Sequence, residues 1–118
     1  MIEINRSLMQ TLRRVVLPEI NMVLMAIRNR FVQKAPKTSL IEGVSAATFD
    51  SVYLRVSNKP EDIILSVTIL KDKTISADIT YERSGVIIGN HKESLPCTEQ
   101  SAIEAVDFLL LELAKIKP

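Results

Sequence analysis

Apolar and polar residues alternate with a period of two from Ser51 to Asn90, interrupted by three short polar turns. In Ser51–Ser57, Val52, Leu54 and Val56 alternate with Tyr53, Arg55 and Ser57, the signature of a strand with one buried face. Past Asn58-Lys59-Pro60-Glu61, the run Ile63–Leu70 sets Ile63, Leu65, Val67 and Ile69 against Ser66 and Thr68, and its β-branched content favours a strand. Thr74–Glu82 alternates Ile75, Ala77, Ile79 and Tyr81 against Ser76, Asp78, Thr80 and Glu82. The turn Arg83-Ser84-Gly85 then leads to a short fourth strand, Val86–Gly89. Connections this short join antiparallel neighbours, so the pattern predicts a four-stranded antiparallel meander.

The flanks change to a helical period. Leu8, Met9, Leu12, Val15 and Val16 predict an amphipathic helix over Asn5–Leu17, and Pro18 must kink it or restart it at a first turn. Beyond Pro18 a second stripe, Ile20, Val23, Leu24, Ile27 and Phe31, is rotated by about 80° from the first. Met22 and Met25 lie on its opposite side, either under the following loop or on a partner surface. Lys34–Asp50, interrupted by Pro36 and Gly43, reads as a loop with one helical turn, with Leu40-Ile41 or Val44 as an alternative edge strand. At the other end, Thr98-Glu99 or Ser101 with Glu104 caps a final helix whose broad stripe runs from Ala102 to Ile116. Phe108 and Leu111 adjoin each other on its charged side, either under the N-terminal helix or at an oligomer contact.

These elements predict one α+β domain over residues 1–118. The sheet's apolar face (Val52, Leu54, Val56, Leu65, Val67, Ile75, Ile79, Val86 and Ile88) is expected beneath N-terminal helices, kinked or broken at Pro18, and the C-terminal helix. The opposite face, with Arg55, Ser66, Thr68, Asp78, Thr80 and Glu82, is left to solvent or a partner. At 118 residues, 47% hydrophobic and 25% charged, the chain is long enough and apolar enough for one core. With 4% aromatics and no Trp, it offers few stacking surfaces for bases or planar cofactors. One Cys, no secretory-type leader and no 18-residue apolar run point to a soluble cytoplasmic protein.

Candidate chemistry is sparse. A single His and a single Cys, His91 and Cys97, do not make a metal site, and no orienting group or oxyanion hole is signalled beside them. Gly85 and Gly89 bracket a strand and not a phosphate loop, and Asp78 and Glu82 share a strand face with polar neighbours. No catalytic residue, cofactor or metal is therefore assigned. Charge is uneven: residues 1–37 hold seven Lys or Arg against two acids, the remainder eight against twelve. Arg13, Arg14, Arg28, Arg30 and Lys34 are accordingly candidates for a phosphate-facing strip. The order helix, strands, helix is shared with double-stranded-RNA-binding domains, but their last helix opens on a basic cluster, and here Glu99 and Glu104 stand there. The sequence thus favours a small non-enzymatic protein-binding module of the adaptor, chaperone or inhibitor kind, homodimeric, with Met22, Met25, Phe108 and Leu111 as contacts. Nucleic-acid binding through the basic helices is the alternative, and no membrane partner is expected.

Overall fold

A computed structural model describes residues 18–37, 39–46, 48–57, 59–90 and 95–116, with the side chains of Pro18 and Glu19 left aside. The predicted Asn5–Leu17 helix lies outside the described residues. The described chain opens with helix α1, Pro18–Lys34. The strands β1 (Leu40–Ser45), β2 (Phe49–Val56), β3 (Ile63–Leu70), β4 (Thr74–Tyr81), β5 (Ile87–Asn90) and β6 (Leu95–Pro96) follow, and helix α2, Glu99–Ile116, closes the described residues. All pairings are antiparallel, in the order β1-β2-β3-β4-β5, with β6 also on β4.

The architecture is the expected α+β one, with six strands in place of four. The stretch expected to be a loop with a helical turn supplies β1, in register with β2 from Leu40↔Arg55 to Ser45↔Asp50. Glu42 and Gly43 interrupt its apolar residues, so its alternation is weak and the pairing with β2 decides its conformation. The fourth strand begins at Ile87 and not at Val86, which is exposed and stands outside the core; Ile88 is half-buried against the core. A register shift between Ile79 and Thr80 re-aims β5 relative to the alternation read from sequence.

Both helices cover the face formed by Val52, Leu54, Val56, Leu65, Val67, Ile75 and Ile79, all buried. α1 lies over β2 and β1, and α2 over β4, β3 and β5. From α1, Ile27 and Phe31 are fully buried, as are Ala105, Val106 and Leu109 from α2. Two buried alanines of α2, Ala102 and Ala105, let its backbone approach the sheet. Thr98 caps the helix, its Oγ1 accepting the Ser101 backbone N–H at 3.1 Å, with Glu99 in the first turn and Lys115 in the last, as the macrodipole prefers. Among the described residues no helix is long and apolar enough to cross a membrane.

Candidate functional site

Burial of one stripe of α1 fixes what the opposite side presents. With about 100° between successive residues, Asn21, Val32, Met25, Asn29, Met22, Gln33 and Ala26 succeed one another around an arc of about 140° turned from the sheet. None of them is charged. Met22 is 54% exposed, Met25 62% and Val32 65%. At these exposures the described residues of the loop after α1 do not bury the two methionines. On α2 the equivalent outward residue is Leu111, 67% exposed, whereas Phe108 is half-buried and packs against the core. The side of α2 that meets α1 is marked by Asp107, which Arg30 holds.

Arg30 and Asp107 join the two helices. Arg30 Nε donates to Asp107 Oδ1 and an Arg30 terminal nitrogen (NH2) donates to Oδ2, both at 2.9 Å, a two-pronged carboxylate clamp. The hydrogen bond lowers the Asp107 pKa from its ordinary value against the opposing effect of burial, and it raises that of Arg30. Arg30 is thereby engaged within the fold. Of the predicted phosphate-facing strip, Arg13 and Arg14 lie outside the described residues, and Arg28 and Lys34 are exposed. Lys34 contributes to the field that depresses Asp107. Arg28 stands apart over β1: a Cβ built on Gly43 would lie 3.6 Å from an Arg28 terminal nitrogen.

The sheet face away from the helices is polar at its centre and internally paired. Tyr53 Oη donates to Glu42 at 2.8 Å, which raises the phenol pKa, and Ser66 Oγ donates to Asp78 at 2.9 Å. Arg55 reaches across β3 to Glu82 at 3.0 Å, and Thr68 Oγ1 donates to Ser51 Oγ. Asp78 and Glu82 each have their own partner, which separates them as carboxylates. Exposed Leu40, Val44, Leu70 and Ile87 form an apolar margin around these polar pairs.

Of the two residues weighed for nucleophilic or metal chemistry, Cys97 is half-buried just before α2, and His91 lies outside the described residues. Among the described residues no three His, Cys, Asp or Glu side chains are grouped to hold a metal ion. The sequence picked out Met22 and Met25 but missed Val32, the third apolar member of the arc; the missing signal was the absence of charge from Asn21 through Gln33 on that side. Compared with family models, curated proteins and solved structures, the chain finds no match.

Proposed function

We propose that this chain is a non-enzymatic protein-binding module, of the adaptor, chaperone or inhibitor kind, that self-associates through the outer side of α1. The observation that carries the proposal is the uncharged arc: in a chain with 25% charged residues, a helix surface of about 140° with three large exposed apolar side chains among Asn, Gln and Ala suits burial against protein. A copy of the same surface meets it without like charges, and unbranched Met22 and Met25 adapt their packing across a two-fold axis. Leu111 on α2 extends the contact. A cytoplasmic setting belongs to the same proposal, since the one Cys makes no intrachain disulfide.

Engagement of Arg30 by Asp107 weighs against the nucleic-acid alternative, because a guanidinium already holding a carboxylate has less to offer a phosphate. Size-exclusion chromatography with light scattering tests the proposal. It expects twice the 13.2 kDa chain mass, falling to the single-chain mass in Met22→Asp and Leu111→Asp. A species of 13.2 kDa at every concentration refutes self-association.

A further inference from the structure

The two edges of the sheet are built differently. On one side β5 has four residues, a register shift against β4, and the two-residue β6 ending in Pro96 beside it. Such short, irregular strands discourage further pairing. On the other side β1 runs six residues in unbroken register with β2 and contains no Pro or Lys. The bond from Ala46 N to Phe49 O fixes the alternation of its backbone groups. Residues 40, 42 and 44 bond towards β2, so Ile41, Gly43 and Ser45 turn N–H and C=O outward. Among the described residues no hydrogen bond reaches these outward groups. Only another extended backbone matches such a row of alternating donors and acceptors.

The side chains around this edge specify the occupant. Gly43 shares the helix-facing side of the sheet with Val52, and the Arg28 guanidinium lies over it without an ion pair among the described residues. An added strand would run about 4.8 Å outside β1. Its residue across from Gly43 would fall within reach of Arg28, where a carboxylate is the complementary group. On the other side of the sheet the incoming residues meet Leu40 and Val44, which suit apolar or β-branched neighbours. A second copy of β1 fits poorly. Pairing about Gly43 would bring two Arg28 guanidinia together, and pairing about Glu42 would oppose two carboxylates.

We infer that the free edge of β1 binds an extended segment of another protein by strand addition, with an acidic residue of that segment held by Arg28. The inference rests on the chain being a protein-binding module but uses a surface separate from the uncharged arc of α1. The test is a nuclear magnetic resonance titration of the full chain with Ser-Thr-Val-Glu-Val-Thr-Ser, capped at both ends, and with the same peptide carrying Lys for Glu. The Glu peptide is expected to shift the amides of Ile41, Gly43 and Ser45. It should bind more tightly than the Lys peptide by roughly two- to thirtyfold, the scale of an exposed ion pair plus the matching repulsion. Arg28→Glu, a change at an exposed position, should reverse that preference while leaving the rest of the spectrum in place. Shifts elsewhere, no shifts with either peptide, or a preference unchanged by Arg28→Glu would overturn the inference. Light scattering on the same samples reports the α1 dimer separately, so loss of one leaves the other standing.

Discussion

Met25→Ala offers a quantitative handle on the α1 surface. The side chain is 62% exposed in the single chain, so truncation leaves the core intact and should alter monomer stability by little. Fully burying a Met side chain contributes about 1.5–3 kcal/mol, so burying the exposed part in a dimer contributes about 1–2 kcal/mol per protomer. A two-fold interface loses this twice, about 2–4 kcal/mol, equivalent to weakening the dimer roughly 30- to 1000-fold. Sedimentation velocity over a wide concentration series measures that shift, with circular dichroism as the check on folding. An unchanged dissociation constant in a folded Met25→Ala protein would show that the dimer, if formed, is built elsewhere.

Other expectations follow from the packing. In Gly89→Ala the new Cβ would lie 2.7 Å from the fully buried Ile79 Cγ2, a branched group with little room to move, so a loss of about 1–3 kcal/mol is expected as a lower urea midpoint at constant slope. Thr98→Ala removes the acceptor of the Ser101 N–H and should cost about 1 kcal/mol by the same assay. Because the Asp107 pKa is lowered in the folded state, its clamp to Arg30 stabilises fully above the ordinary value of 3.8 and is lost as pH falls through the lower folded value. Asp107→Asn should therefore be less stable than the parent at neutral pH, with the gap closing in acid; a gap independent of pH would contradict this role.

How much of this was legible in the sequence depends on how each element is specified. The strands β2, β3 and β4 were plain because strict alternation leaves one register that buries Val52, Leu54, Leu65, Val67, Ile75 and Ile79 together. β1 was ambiguous because Glu42 and Gly43 carry no strand preference; they are held by partners on β2, Tyr53 and Val52. Val86 was misplaced because three consecutive apolar residues, Val86-Ile87-Ile88, do not say which face is inside, and the shift at Ile79 and Thr80 has no signal in local pattern. The Arg30–Asp107 clamp spans 77 residues and depends on how two helices lie side by side. Arg28 looked like one more member of a basic strip. Its position over Gly43 becomes meaningful only once β1 is known to be a strand.

In the proposed dimer two copies of α1 meet through their uncharged sides. A spin label at Asn29, exposed in the middle of that arc, tests this most directly when attached through Asn29→Cys in a Cys97→Ser background. Helix axes packed at about 8–10 Å would give a narrow, short interspin distance by double electron–electron resonance. A decay with no defined distance, or one that places the two Asn29 positions on opposite sides of an assembly, would contradict the claim.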